Sequence, residues 1–348
     1  MKITKIETMK VFVPWQNSFK EPMIQWREQQ GTTVEAEDAY VIVQVHTDEG
    51  IIGIGEGGRS IEAVEKEAQN FIDKNPLEMD LFTLRRPWAH AMIDLAGKAL
   101  GVPAYRLIGN GKHRNKIPVA FWSPYQPPEE TKKHAEEGAA RGFKLHKIKA
   151  RPWDAVEQVE AITNAAGKDY HIRIDPNQLF DTPSQTTRID AELANYLNVE
   201  CFEDPVPKQH PEWYGLLRQK CRIPIALHSS DTRLILDHVR HNGIDFVNVG
   251  GTIGAAIRAA AVAEAAGCPV WLQFEGHSYD IQAAFDAHVG AAISNASMPY
   301  DTLPFVREAS ISTEGYALSV KDGFLEVPND PGLGVTLDLE QCEKYRVE

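Results

Sequence analysis

Positive charge is in short supply: 36 Lys and Arg stand against 49 Asp and Glu, a formal net charge of −13. Phosphate backbones call for clustered cations, so a nucleic-acid-binding surface is not expected. A small anionic ligand stays open, because a few buried cations can govern one pocket inside an acidic protein. Long apolar runs are missing as well. None approaches the roughly 20 residues that span a bilayer, so no membrane association is expected. The opening "MKITKIETMKVFVPW" alternates like a strand and lacks the apolar core and cleavage site of a signal peptide, which predicts a cytoplasmic protein. Cysteine is scarce too. Cys201, Cys221, Cys268 and Cys342 have no metal-binding spacing, and three of them adjoin apolar strand-like runs, so reduced core thiols are expected.

What is present is an ordinary globular composition, 43% hydrophobic and 24% charged, over 348 residues. A single core seldom grows beyond about 250 to 300 residues, so the length suits a barrel-sized unit with an appendage. From residue 117 a short β-rich run, a turn and an amphipathic helical run repeat roughly every 25 residues. The strand candidates are "KIPVAFW", "FKLHKIKA", "YHIRID", "VECFED", "IPIALH", "DFVNVG" and "PVWLQF", with a weak eighth near "MPYDTL". Between them lie "PEETKKHAEEGAARG", "WDAVEQVEAITNAAG", "RIDAELANYLN", "EWYGLLRQK", "TRLILDHVRHNG" and "GAAIRAAAVAEAAG". The pattern predicts an α/β protein with a TIM-type barrel of parallel strands joined by crossover helices over residues 117–311. Residues 1–116 read as an α+β unit. Residues 312–348 read as strands and turns that return to it.

Chemistry gathers at the predicted strand ends. In "LHKIK" the side chains of Leu145, Lys147 and Lys149 share one face, an odd place for two lysines unless both are solvated or that face is a polar pocket. Asp175 of "RIDPNQ" ends the third strand and Glu203 of "CFEDPV" the fourth. Catalytic groups of such barrels collect at the C-terminal strand ends. Hard dications such as Mg2+ take carboxylate oxygens, which suits Asp175 and Glu203. A lysine near a cation and a second ammonium can act as a base, while its neighbour holds a substrate carboxylate.

These residues resemble the enolase superfamily, in particular its mandelate racemase and muconate lactonizing enzyme branch. The resemblance covers nearly the whole chain and rests on "AMIDLAGKALGVPAYRLIG", "KIK", "IDPNQ", "FEDP", "NVGGTIG" and "FLEVPNDPGLGVTLD" in that order. It implies a modified (β/α)7β barrel under an α+β capping domain made from the N-terminal part and the C-terminal tail. It also implies Mg2+, or Mn2+ in its place, and abstraction of the proton α to a carboxylate through an enediolate. Lys149 is then the expected base and Lys147 its electrostatic partner, on a small carboxylate substrate, in a homo-oligomer.

The chain departs from that pattern in places. Ser229 stands where the family places a third metal carboxylate. Asp231, two residues on, is a third ligand or the N-cap of the following helix, and His228 is a further candidate that would point to a transition metal. Asp245 matches an aspartate that in some members orients a histidine of the seventh strand. That register falls near Gln273, while His277 lies a few residues on, as a dyad partner or a loop residue; Glu275 could serve that side instead. Asn177, Asn248, Tyr300 and Asp301 are expected near the substrate. Trp15, Trp26, Arg27 and "GEGG" are covering loops or packing residues. Two functions follow: a hydro-lyase removing water from a sugar acid or related hydroxy acid, with a racemase or epimerase as the alternative, or a carboxylate-binding protein whose metal site is incomplete.

Overall fold

The computed structural model describes every residue except Asn110, Glu275, Gly276 and Thr302. The chain opens with β1 (Ile3–Val11), the helices α1 (Asn17–Gln29) and α2 (Val34–Asp38), and then β2 (Tyr40–Thr47) and β3 (Ile52–Glu56). The three strands form an antiparallel sheet in the order β1-β2-β3. Its inner face packs Val41, Val43 and Val45 on α4 (Trp88–Leu100), which follows α3 (Ile61–Ala68). Close approach of β3 to α4 requires glycine. A Cβ at Gly53 would collide with Leu95, and one at Gly55 would collide with the backbone of Pro87.

After α5 (Tyr105–Ile108) and β4 (Lys116–Pro118), strand and helix alternate: β5 (Phe121–Ser123), α6 (Pro128–Ala140), β6 (Leu145–Lys149), α7 (Ala155–Ala166), β7 (His171–Asp175), α8 (Pro183–Glu192) and β8 (Val199–Glu203). The alternation continues with α9 (Pro211–Lys220), β9 (Ile225–His228), α10 (Thr232–Arg240), β10 (Phe246–Val249), α11 (Ile253–Ala265), β11 (Val270–Leu272) and α12 (Asp280–Ala292). Strands β5 to β11 form one parallel sheet in sequence order. Residues 298–301 close it. Asp301 N–H donates to Leu272 on the β11 side, and Ala120 N–H donates to Tyr300 beside β5. The weak eighth strand read from "MPYDTL" is therefore the seam of the barrel, as the α/β barrel class requires.

Three details differ from the sequence reading. "KIPVAFW" splits, because β4 pairs antiparallel with β12 (Phe324–Glu326) while β5 pairs in parallel with β6. The helix expected over "RIDAELANYLN" starts earlier, where Thr182 accepts from Gln185 N–H and Pro183 occupies the first turn. Helix α12 had no amphipathic signal because all thirteen of its residues are buried, including Asp280, Gln282, Asp286 and His288. The chain ends in a short helix, α13 (Leu339–Lys344).

Candidate active site

All the βα strands end on one side of the barrel, and the two lysines of β6 point into it. Lys147 is 1% exposed and does not snorkel to solvent. Its ammonium lies 2.7 Å from Glu203, 2.7 Å from Asp301 and 3.2 Å from Asp175. Burial opposes its charge, yet Asp301, Glu203 and Asp175 together hold its pKa well above the ordinary lysine value. Lys149 is two residues nearer the mouth, in register with Asp175, and its Nζ sits 2.5 Å from Asp175 Oδ2. Against the cost of burial, Lys149 and Lys147 hold Asp175 below the usual carboxylate range.

Across the barrel, four strands on, stand Asn248 on β10 and Gln273 just past β11. Asn248 Nδ2 donates to Glu203 Oε1 and Gln273 Oε1, each at 2.8 Å. Asp301 also accepts from Trp271 Nε1 at 3.1 Å and from Arg173 at 3.3 Å. Asp301 thus belongs to this cluster. Tyr300, its neighbour, does not. Successive strand residues face opposite ways, and Tyr300 turns outward, bonded to Ala296 O and packed on Gly290.

Other sequence candidates are placed differently than expected. Asp231 accepts from Arg233 and Leu234 N–H as the N-cap of α10, which turns it away from Asp175 and Glu203. Asp245 precedes β10 at the far end of the barrel, bonded to Arg218 and to Ile225 N–H, so it cannot pair with His277. His277 does meet an aspartate, but it is Asp38 of α2. Its Nδ1 lies 3.6 Å from Asp38 Oδ1 and 3.1 Å from Arg27, which donates to it and leaves the ring proton on Nε2. Burial and then Arg27 push its pKa well below the ordinary value, so the ring is neutral. Trp15 and Trp122 pack edge-on against it. Asn177 is exposed and touches the site through its backbone N–H to Asp175 Oδ1. Glu275 lies outside the described residues.

His228 ends β9, with its Nδ1 3.7 Å from Glu203 Oε1. Asp204 lies beside both. Its Oδ1 accepts from His228 N–H, and its Oδ2 pairs with Lys208 at 2.6 Å. Strand alternation would aim Asp204 away from Glu203, but its φ of 47° breaks the strand and swings the carboxylate back. Glu203, Asp204 and His228 each offer a donor atom within 4.8 Å of the others.

A family profile described as "Enolase C-terminal domain-like" matches residues 130–342. The chain belongs to the enolase superfamily. Its relatives lie in the mandelate racemase and muconate lactonizing enzyme branch. It is 28% identical to a D-xylonate dehydratase of Haloferax volcanii, over 92% of this chain and 88% of that protein. It is 30% identical to a chloromuconate cycloisomerase of a Pseudomonas species, over 99% of both. The solved structure of an N-succinyl Arg/Lys racemase from Bacillus cereus superposes with a TM-score of 0.81 at 23% identity, covering 100% of this chain and 99% of that one. These relatives are named as a dehydratase, a cycloisomerase and a racemase.

The family implies a divalent cation, and the donors here fit one. Asn248 Oδ1 is buried without a hydrogen-bond partner, while Glu203 Oε2 is paired with Lys147. Two carboxylates and an imidazole converge nearby. Asp175 stands apart from that set, engaged by both lysines.

Proposed function

We propose that this protein removes the proton α to a substrate carboxylate, with Lys149 as the base, and that water is then lost from a sugar acid or related hydroxy acid. The observation that carries this reading is the asymmetry of the mouth. Lys149 stands on one wall, while the opposite wall presents the amides of Asn248 and Gln273 rather than a second lysine or an Asp–His dyad. Racemisation by two bases needs a proton donor on each face of the α carbon, whereas elimination needs only one base and a departing hydroxide. The D-xylonate dehydratase relative lends the substrate class.

Each residue then has a task. Lys149 accepts the α proton. Lys147, fixed among three carboxylates, stays protonated and supplies positive charge where the enediolate develops. The ammonium that Lys149 becomes can return the α proton to the departing hydroxyl, which leaves as water, while the neutral His277 ring beside α1 can offer only a hydrogen bond from Nε2. A divalent cation bound by Glu203, Asp204 and His228 would stabilise charge on the substrate carboxylate. Racemisation or epimerisation is the runner-up reaction. The test is a screen of sugar acids and other hydroxy acids with Mg2+, Mn2+ or Co2+ added, following keto-acid formation and loss of optical activity separately. Keto-acid product supports dehydration, epimer without keto acid supports the runner-up, and no turnover of any carboxylate contradicts both.

A further inference from the structure

Resting on that reading of the site as one that takes a divalent cation, we infer that its donor set selects an imidazole-preferring transition dication, of the Co2+, Ni2+ or Zn2+ class, over Mg2+. Three observations carry it. The third donor brought to Glu203 is neither Ser229 nor Asp231 but His228, whose Nδ1 lies 3.7 Å from Glu203 Oε1. The second carboxylate, Asp204, is already shared with Lys208 at 2.6 Å, so the set carries less free negative charge than three carboxylates would. The site also has unused bonding capacity deep inside, at Asn248 Oδ1, while the His228 side chain is 36% exposed against 1% for Glu203. A cation would approach from the imidazole side, toward Glu203 Oε1 and the buried Asn248 Oδ1.

Mg2+ bonds oxygen, holds its water tightly and gains little from a ring nitrogen, whereas imidazole suits the later first-row dications and Zn2+. Replacing a carboxylate by imidazole therefore lowers the pull on Mg2+ and keeps or raises the pull on Co2+. Lys147 adds to the discrimination. Its ammonium occupies the ground between Asp175 and Glu203, so an all-carboxylate site there would require its displacement.

The experiment uses the full chain, stripped with chelator, and titrates Co2+ and Mg2+ separately by calorimetry while recording the visible Co2+ absorption. Co2+ is expected to bind at least about tenfold more tightly than Mg2+. In His228→Gln, Co2+ affinity should fall about tenfold or more and its absorption bands should shift, with Mg2+ changed less than about threefold. In His228→Asp, the Co2+ to Mg2+ ratio should fall toward unity. Thermal melts matching the wild type establish that both variants are folded. Mg2+ as tight as Co2+ in the wild type, or Co2+ affinity and spectrum unchanged in both variants, overturns the inference and leaves the proposed reaction standing. Absence of saturable binding by either ion overturns the inference together with the metal component of the proposed function, but not the role of Lys149, which is read from proton exchange.

Discussion

Lys147 and Lys149 are two residues apart and have different work to do because they sit at different depths. Lys147 is enclosed by Asp175, Glu203 and Asp301, so Lys147→Met should leave buried carboxylates uncompensated and cost about 3–5 kcal/mol in chemical denaturation. Lys149 has one such partner and lies nearer solvent. Lys149→Ala should fold normally and lose about 10²–10⁴-fold in turnover. The shared face of the lysines and the placing of Asp175 and Glu203 at strand ends were legible in the sequence, because alternation and the barrel repeat fix them. Asp204 was hidden because a single left-handed residue reverses what alternation implies. Asp301 was named only as a neighbour of the pocket, since its strand is too short to display a pattern. The partner of His277 was not legible at all: Asp38 is more than two hundred residues away, and only the packing of the cap brings them together.

Among the elements, the helices with solvent on one side were readable and the wholly buried one was not. Helix α10 shows the first case. Asp231 caps it, so Asp231→Asn, a comparable cap, should change stability by no more than a few tenths of a kcal/mol, whereas Asp231→Ala should cost about 1 kcal/mol in thermal melts. Neither should change metal affinity. Helix α12 shows the second. Its Gly290 faces the Tyr300 ring so closely that a Cβ would overlap it, and Tyr300 adjoins Asp301 in the strand that closes the barrel. Gly290→Ala should destabilise the fold by about 1–3 kcal/mol and weaken turnover as well, since the ring can retreat only by moving its strand. Wild-type stability in that variant would contradict this packing.

In the whole molecule, the cap is tied to the barrel by buried carboxylates. Glu56, at the end of β3, accepts from Tyr279 and Gln282 N–H and thereby caps α12 from the other layer. Asp94 of α4 accepts from Ile54 and Leu333 N–H, joining sheet, helix and tail. Burial pushes Glu56 up to about 7. Because that folded-state value lies above the unfolded one, the folded protein binds the extra proton between about pH 4.5 and 7, and stability falls as pH rises through that window. Glu56→Gln should remove this slope, the stability difference shifting toward the variant by up to about 3 kcal/mol between the two ends. Equal pH profiles by denaturant titration would show that Glu56 stays charged throughout. The (β/α) repeat announced the barrel, but these ties could not be read from it, because each depends on a side chain reaching a backbone group in a distant layer.

The central claim is that the mouth of this barrel takes the α proton from a carboxylate through Lys149. It is tested most directly by following the α-C–H signals of a panel of sugar acids and hydroxy acids in D2O by NMR, with wild type and Lys149→Ala side by side. The account predicts loss of the α-proton signal, through exchange or elimination, for at least one acid with the wild type and at least about 10²-fold slower loss with the variant. Equal rates in the two proteins, or an α proton retained in every acid, would contradict it.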